Sequence, residues 1–449
     1  MTSVVWFRRD LRLSDHPALC EAAAGDGSVV ALFVSDPRLA STSGAPRLAF
    51  LSRCLHSLDE SIGGRLVVRE GDPTTVVAAV ADEVDASAVY VTADFGPYGA
   101  ARDDAVDAAL VDRGRRLVRV GSPYVVDPGT VVKTNGEPFA VFTPYYRAWT
   151  ARHRSRPVGA PPDITWVQGV ASGAIPAEPR VDAELPAAGE AGATDRLAAF
   201  LDGPASSYDT ERDRPDLDAT TRLSPHLKYG CIHPRQILDT LGRSTAHEKL
   251  RSELAWRDFY ADVLWHRPES ARRALQPAMA GMHLDTGSTA DQRFDAWTGG
   301  RTGYPLVDAG MRQLRAEAWM HNRVRMVTAS FLVKDLHVDW TRGARFFLQH
   351  LVDGDLASNN HGWQWVAGTG TDPAPYFRIF NPTTQAKQHD PDGSYIRRWV
   401  PELAPLSPPQ IFEPWKLPDG PPGGYPRPIV DHGEERADAL ARYADARRG

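Results

Sequence analysis

The chain has 449 residues, an ordinary hydrophobic content of 42% and a net charge of −6. No apolar run reaches membrane-spanning length, and the N-terminus turns basic where a signal peptide needs its apolar region. The three cysteines, Cys20, Cys54 and Cys231, are far apart and lack metal-ligand spacing, which argues against a disulfide framework. These features predict a cytoplasmic protein of two or three domains. The acidic net charge argues against nucleic-acid binding, but basic residues outnumber acids from Arg301 to Arg345, so a local cationic face stays an alternative.

Short apolar runs alternate with helical patterns over the first part of the chain, and this alternation predicts a parallel sheet in an α/β domain. The predicted strands are Val4–Phe7, Val29–Val34, Leu66–Val68, Ala88–Val91 and Leu117–Val120. The predicted helices between them are Pro17–Ala24, Arg47–Ile62, Pro73–Val84 and Ala101–Arg113. Ligands of such sheets bind beyond the carboxyl ends of the strands, where Arg9, Asp36 and Asp94 lie. No GxGxxG motif follows the first strand, so ordinary dinucleotide binding is not predicted.

A stretch rich in Pro, Ala and Gly, from Pro157 to Gly192, predicts a long connector, and most of the chain beyond it has helical periodicity. The predicted helices are Arg196–Leu201, Pro234–Leu241, His247–Trp265, Ala296–Trp297, Pro305–Glu317, Val324–Leu336, Arg342–Leu351 and a last one near Glu434–Arg447. We therefore predict an α/β domain over residues 1–128, a linker over 129–193 and a helical domain over 194–449.

The motif DATTRLSPHLKYG (Asp218–Gly230) predicts a helix start, because Ser224 is a favoured N-cap and Pro225 fits the first turn. The free N–H groups there, with the hydroxyls of Thr220, Thr221 and Ser224, would suit a diphosphate. The alternative is a capped helix without a ligand.

Two further motifs combine polar and aromatic side chains on one helical face. In ELAWRDFY these are Glu253, Trp256 and Arg257 at i, i+3 and i+4, and in MHNRVRM they are Asn322, Arg325 and Met326. Such faces can bind the edge and plane of a nucleobase together with its phosphate. A surface salt-bridge network is the alternative.

The segment Val352–Pro382 combines acids, amides and indoles in a way that suits a large polar aromatic ligand such as a flavin. Its members are Asp353, Asp355, Asn359, Asn360, Trp363 and Trp365. With Trp340 these indoles could relay electrons, although core packing is the commoner role of Trp. Neither hydrolytic nor metal-binding motifs are present, so a reaction carried by a cofactor is favoured and no metal site is predicted.

Together these motifs resemble the DNA photolyase/cryptochrome family, and within it the bacterial class I cyclobutane pyrimidine dimer photolyases. The resemblance runs over nearly the whole chain and includes VVWFRRDLRLSDHPAL, FTPYYRAW, TTRLSPHLKYG, ELAWRDFY, MHNRVRMVTASFLVKDLHVDW, FFLQHLVDGDLASNN, GWQW and FRIFNPTTQAKQ. It implies a Rossmann-like α/β N-terminal domain and an all-helical C-terminal domain that binds FAD.

The resemblance also implies the site residues. The FAD contacts would be Tyr208, Thr220, Thr221, Arg222, Leu223, Ser224, Arg257, Asn322, Arg325, Asp353, Asp355 and Asn359, with Asn359 facing flavin N5 and Arg325 pairing an aspartate. The pocket for a flipped-out dimer would contain Glu253, Trp256, Asn322, Met326 and Trp365, and DNA would contact Arg212, Arg323 and Gln385. Glu253, Trp256, Met326 and Asn359 would act in catalysis. An antenna would bind at Arg9, Ser35, Asp36, Asp94 and Lys228, with 8-hydroxy-5-deazaflavin as the first expectation and methenyltetrahydrofolate as the second.

The implied activity is light-driven repair of UV-damaged DNA. The dimer flips out of the helix, excited FADH⁻ gives an electron to the cyclobutane ring, the ring splits and the electron returns. The main rival is a cryptochrome-type blue-light receptor without repair activity; repair of (6-4) photoproducts and electron carriage by a flavoprotein are the others. A monomer is expected, because the DNA-binding face must stay open, and neither an obligatory protein partner nor membrane attachment is expected.

Two departures from the family pattern lie near the flavin. Photoreduction would begin at Trp363 and continue at Trp340, but the outer tryptophan is missing, and Leu284 or Gly287 stands in its place. Slow photoreduction is therefore expected. In addition, His361 stands where the family commonly has glycine; we expect a solvated loop histidine, with tuning of the flavin potential as the alternative.

Overall fold

A computed structural model describes residues 2–24, 28–152, 154–161, 163–372 and 378–448. Its sheet consists of β1 (Ser3–Phe7), β2 (Ser28–Ser35), β3 (Leu66–Glu70), β4 (Ala88–Val91), β5 (Arg116–Arg119) and β6 (Thr165–Trp166). The strand order is β3-β2-β1-β4-β5, with β6 beside the start of β2, and every pair is parallel. The apolar runs are buried on both faces because helices cover the sheet; Val4 and Phe7 of the central strand are 0% exposed.

Nineteen α-helices are present in the described ranges. They are α1 (Pro17–Ala23), α2 (Pro37–Thr42), α3 (Ala45–Ser61), α4 (Pro73–Glu83), α5 (Pro97–Val111), α6 (Phe142–Thr150), α7 (Gly189–Leu201), α8 (Tyr208–Glu211), α9 (Ser224–Tyr229), α10 (Pro234–Thr240), α11 (Thr245–His266), α12 (Gly287–Thr298), α13 (Pro305–Glu317), α14 (Asn322–Lys334), α15 (Trp340–His350), α16 (Leu356–Ala367), α17 (Pro382–His389), α18 (Ser394–Trp399) and α19 (His432–Ala446). Among these helices, none is long and apolar enough to cross a membrane.

The chain divides into two compact units. Unit 1 comprises residues 1–181, 185–206 and 221–268, and unit 2 comprises residues 182–184, 207–220 and 269–449. In unit 1 one apolar cluster covers the sheet with α4 and α5. In unit 2 a single apolar cluster joins α12 to α18. The predicted division into 1–128, 129–193 and 194–449 does not follow these units, because α7 and α9–α11 belong to unit 1.

The reason for this membership is a set of contacts between residues distant in sequence. Asp258 and Asp262 of α11 accept backbone N–H groups from Val126 (3.0 Å) and Gly129 (2.7 Å). Burial raises the pKa of Asp258 to about 6, against the opposing hydrogen bond from Trp149. These carboxylates therefore fasten α11 to the segment that follows the sheet.

The fold class predicted from the sequence is confirmed, as are the five predicted strands. Several elements were not predicted, including the helices α2, α6, α17 and α18. The predicted connector contributes β6, whose Thr165 and Trp166 pair with Ser28 and Val29. The polar and aromatic segment after Val352 forms α16, a helix that its weak amphipathic pattern did not predict.

Candidate functional site

In unit 2, α14 carries one half of a fixed ion pair. Arg325 donates from Nη2 and Nη1 to the two carboxylate oxygens of Asp353, at 2.8 and 3.2 Å, and from Nε to the Met320 carbonyl at 2.8 Å. The Asp353 side chain is 3% exposed. Bidentate geometry holds the guanidinium in one plane, so the predicted pairing of Arg325 with an aspartate is present in the structure.

The first turn of α16 orients an amide. Asp355 is the N-cap, and its carboxylate accepts the Ser358 N–H at 3.1 Å. Asn359 then donates from Nδ2 to the Ala344 carbonyl (3.0 Å) and to Asn360 Oδ1 (2.8 Å). Since the amide nitrogen is used in these bonds, the carbonyl oxygen Oδ1 is the group that Asn359 offers as an acceptor.

His361 lies in the interior of α16 and is 1% exposed, so the expectation of a solvated loop histidine was wrong. Its Nδ1 donates to the Ala357 carbonyl at 2.7 Å, which leaves Nε2 to accept from the Ser270 hydroxyl at 2.8 Å. Burial lowers its pKa to about 4, against the smaller opposing effects of the Ala357 bond and Asp355. His361 is therefore a neutral, fully hydrogen-bonded core residue at physiological pH.

Trp363 and Trp340 both lie in the apolar cluster of unit 2, and Trp365 is half-buried at its margin. The Trp363 ring contacts Phe347 (centroids 5.0 Å apart) and Trp297 (6.1 Å). The Trp297 contact was missed because this residue lies 66 positions before Trp363 in a separate helix.

At the position of the missing outer tryptophan, Gly287 begins α12. A side chain added there would meet nothing within 4 Å. Leu284, the other candidate for that position, is half-buried. Between Arg273 and Phe294 the sequence has no Trp, Tyr or Phe.

Two predicted DNA contacts of unit 2 line one open cavity of about 570 Å³. Arg323 of α14 donates to Asp213 at 2.8 Å, and Gln385 lies on α17. Arg212 has its guanidinium 5.6 Å from the ring centre of Tyr208. Beside this set, Asn322 is exposed at the first turn of α14, and Met326 is half-buried one turn further on.

In unit 1, α11 presents Trp256 in a parallel ring stack. Its ring lies 3.7 Å from that of Phe142, with 9° between the planes, and Tyr260 packs at its edge. Phe142, the first residue of α6, therefore covers one face of the indole. The motif FTPYYRAW alone did not indicate this role. Glu253 is half-buried one turn before Trp256.

Arg257 of the same helix contacts backbone within unit 1. It donates to the Pro123 carbonyl (2.8 Å) and the Leu227 carbonyl (3.1 Å), and its guanidinium lies 4.6 Å from the ring centre of Tyr124. These contacts link α11 to α9 and to the segment that follows β5. Its predicted contact with FAD stays a prediction.

The start of α9 differs from the prediction by one residue. The N-cap is Leu223, without a side-chain cap bond, and Ser224 is the first helical residue. The backbone just before it is tightly turned, because Arg222 has a φ of 50° and Thr221 Oγ1 accepts the Leu223 N–H at 3.3 Å. Such a turn directs successive N–H groups to one side, which suits an anion. Thr220 and Tyr208, two further predicted FAD contacts, belong to unit 2.

The predicted antenna residues all lie in unit 1. Ser35 is the last residue of β2 and Asp36 follows it, Arg9 follows β1 and Asp94 follows β4; these three strands are neighbours. Arg9 donates from Nε to the Lys228 carbonyl at 3.3 Å, and Asp36 accepts from the Tyr98 hydroxyl. Four of the five predicted antenna residues therefore lie at the carboxyl edge of the sheet, and one of them, Arg9, contacts the fifth, Lys228.

Charge at this edge is balanced around Asp94. Its carboxylate accepts from Arg102 at 3.3 Å and lies where a side chain on Gly99 would be, 2.2 Å from the Cβ position. Burial acts to raise the pKa of Asp94, but the charges of Arg9, Arg102 and Arg8 together hold it below its usual value. Asp94 is therefore an anion within a cationic edge.

Comparison with known proteins shows a match over most of the chain. Residues 3–163 match the DNA photolyase domain, and residues 250–445 match the FAD binding domain of DNA photolyase. A deoxyribodipyrimidine photo-lyase of Streptomyces griseus is 43% identical, over 99% of both chains.

Solved structures agree with this match. The class III photolyase of Agrobacterium tumefaciens has a TM-score of 0.94 at 36% identity, covering 100% of this chain and 98% of that one. An archaeal photolyase of Sulfolobus tokodaii, solved with two FAD molecules, has a TM-score of 0.88 at 30% identity, covering 99% of this chain and 100% of that one.

Proposed function

The chain belongs to the DNA photolyase family and is a DNA-repair photolyase, and we propose that it splits cyclobutane pyrimidine dimers with an electron from light-excited, reduced FAD. The observation that carries this proposal is the orientation of Asn359. Its Nδ2 donates to two protein acceptors, so its Oδ1 would accept a hydrogen bond from a donor such as the N5–H of a reduced flavin.

The residues of unit 2 fit FAD. The Arg325–Asp353 pair offers a fixed cation beside a buried carboxylate, and Asp355 fixes the first turn of α16. In unit 1 the turn at Thr221–Ser224 offers N–H groups and hydroxyls for a diphosphate. Bound FAD supplies the chemistry that no side chain has, a photo-excited electron.

The chain's own residues have three tasks in this proposal. Arg212, Arg323 and Gln385 bind the DNA backbone near the lesion, which is where affinity originates. In unit 1, Trp256, held flat by Phe142, stacks on a flipped base. In unit 2, Trp365 and Met326 offer half-buried apolar surface that excludes water. Glu253 and Asn322 hydrogen-bond the base edges and orient the dimer.

Illumination of UV-irradiated oligo-dT tests this proposal. With reductant and FAD present, dimers should disappear under blue light and persist in the dark, as followed by recovery of absorbance at the thymine band. A blue-light receptor or an electron carrier would bleach or cycle its flavin and leave the dimers intact. Loss of (6-4) products with survival of cyclobutane dimers would overturn the lesion assignment.

For the antenna we propose 8-hydroxy-5-deazaflavin at the carboxyl edge of β1, β2 and β4, with methenyltetrahydrofolate as the second candidate. Support comes from the gathering of Arg9, Asp36 and Asp94 there, where hydrogen-bonding groups for a deazaflavin are at hand. Reconstitution with each chromophore and comparison of their absorption bands decides between them. Asp36→Ala should weaken deazaflavin binding and leave FAD content unchanged.

Photoreduction should be slow, since no outer tryptophan follows Trp340. Flash photolysis of the protein with oxidised FAD should give a low yield of long-lived tryptophan radical, and repair with already reduced FAD should be unaffected. A normal yield of such a radical would refute the expectation.

A further inference from the structure

The cavity that contains Arg323 and Gln385 has a second wall, which no sequence motif indicated. This wall is made by α19, whose Arg436 and Leu440 line the same cavity. The two residues are four positions apart and so lie on one face of the helix. The C-terminal helix therefore borders the predicted DNA contacts of unit 2.

Arg436 differs from the charged residues of α19 that bind other parts of unit 2. Its side chain is exposed, and within the described ranges this side chain makes neither a hydrogen bond nor an ion pair. Arg442, by contrast, is bound to Asp285 (2.7 Å) and Asp438 (2.8 Å). Glu435 is bound to Arg293 (3.1 Å) and His337 (2.7 Å). The helix is thus fastened to unit 2 by its neighbours, and Arg436 is left to face the cavity.

The charge around the cavity favours an anion. Three arginines line it, Arg323, Arg378 and Arg436, against one carboxylate, Asp213. Burial acts to raise the pKa of Asp213, but its hydrogen bond and charge interaction with Arg323 keep the pKa below its usual value. Asp213 therefore stays ionised and neutralises Arg323, and Arg436 brings a further positive charge to the cavity.

The remaining lining groups suit a phosphodiester backbone. Side-chain amides and a hydroxyl from α17 and its N-cap, Asn381, offer donors of the kind that bind phosphate oxygens in protein–DNA complexes. Leu440 is 37% exposed and can cover the apolar face of a deoxyribose. A small inorganic anion would bind the hydrogen-bond donors but would make no favourable contact with the apolar Leu440 side chain.

From these contacts we propose that α19 forms an outer wall of the DNA-binding surface, in which Arg436 contacts a backbone phosphate and Leu440 the adjoining sugar. The proposal rests on the proposed function, because it extends the surface that binds damaged DNA. In this proposal α19 lengthens the stretch of DNA that the protein contacts, and it takes no part in splitting the dimer.

The salt dependence of duplex binding tests the proposal. Each phosphate contact adds about 0.9 to the slope of log affinity against log salt. Arg436→Ala removes one phosphate contact, so it should lower the magnitude of this slope by about 0.9 and weaken duplex binding several-fold at low salt. Arg436→Lys should retain the slope. Arg447→Ala is the matched control, because it removes an exposed arginine at the end of the same helix, away from the cavity lining, and should match the unaltered protein.

Two results would overturn the proposal. The first is equal slopes for Arg436→Ala and Arg447→Ala. The second concerns Arg436→Ala: inorganic phosphate competes less well with duplex for this variant, while the salt dependence of its duplex binding is unchanged. That result would show that the cavity binds a free anion. Undamaged duplex is used throughout, so the outcome does not depend on repair; failure of the unaltered protein to repair dimers would instead count against the proposed function.

Discussion

At the scale of single residues, burial decides whether a titratable group can switch. His361 has both ring nitrogens in hydrogen bonds, to Ala357 and Ser270, and is covered by unit 2. Protonation would turn Nε2 into a second donor beside a hydroxyl and place a charge in the core. The residue therefore acts as a structural link from α16 to the segment at Ser270, with no titration near neutral pH.

This placement predicts the titration of His361. Its folded pKa of about 4 lies below the unfolded value of 6.5, so the unfolded state binds more protons between these values. The stability that neutral His361 contributes is present above pH 6.5 and is lost as pH falls towards 4. NMR titration of its ring signals, assigned by comparison with His361→Gln, should give a midpoint near 4; a midpoint near 6.5 would contradict the buried position.

The stacked pair Phe142–Trp256 predicts a coupling between a residue outside the proposed pocket and dimer binding. Phe142→Ala should weaken binding of dimer-containing DNA by about 1 kcal/mol, roughly fivefold, because an aromatic pair contributes about 0.5–1.5 kcal/mol beyond burial. Phe142→Tyr should restore it. Phe139→Ala is the control, since Phe139 packs on Tyr145 instead.

A double-mutant cycle separates this positioning role from general destabilisation. In a Trp256→Ala background, Phe142→Ala should have no further effect on the affinity for dimer-containing DNA. Additive losses would mean that Phe142 acts elsewhere.

At the scale of elements, helix α15 depends on glycine where it meets α16. A Cβ on Gly343 would lie 2.2 Å from Cη2 of Trp363, a buried ring that cannot move away. Gly362, on α16, has nothing within 4 Å of its Cβ position. Gly343 therefore sets the distance between the helices that carry Trp340 and Trp363.

These two glycines form a matched test. Gly343→Ala should destabilise unit 2 by about 1–3 kcal/mol through overpacking, whereas Gly362→Ala should be neutral or stabilise by about 0.5–1 kcal/mol through helix propensity. Shifts of the thermal unfolding midpoint measure both. Equal shifts for the two variants would show that α15 and α16 are further apart than described.

Element boundaries were predictable where the apolar pattern was regular. The pattern predicted Pro305–Glu317 and Ala88–Val91 to the residue, because α13 and β4 are buried in the way their periodicity indicates. α16 was missed since its polar residues face protein partners: Asn360 donates to the Ala271 carbonyl and Gln364 to the Ser270 carbonyl. A helix that buries amides does not have the amphipathic stripe on which prediction depends.

At the scale of the whole molecule, the division into units follows contacts that local sequence does not encode. Glu190, in the stretch predicted to be a linker, accepts the backbone N–H groups of Leu13 (2.7 Å) and Ser14 (3.0 Å). Arg12 donates to the Gly230 carbonyl at 3.0 Å. Such pairs, more than 170 residues apart, place α7 and α9 in unit 1 and explain why a boundary drawn from composition at residue 193 differs from the compact units.

The candidate site was predictable to a different degree. Residue identities in the motifs indicated which side chains to examine, and the Arg325–Asp353 pair is present as expected. The partners were not predictable: Phe142 behind Trp256, Trp297 beside Trp363 and Arg436 opposite Arg323 all come from distant segments. The spacing of residues within one helix predicts which side chains share a face of that helix. The residues that pack against this face come from other segments and are known only once the chain has folded.

The most direct test of the account is single-turnover repair of a duplex with one site-specific thymine cyclobutane dimer, by protein whose FAD has been reduced beforehand. Blue light should restore the two thymines in proportion to bound protein, the dark sample should stay damaged, and Trp256→Ala should bind the damaged duplex more weakly. A protein that binds the duplex, holds reduced FAD and leaves the dimer intact under blue light would contradict the account.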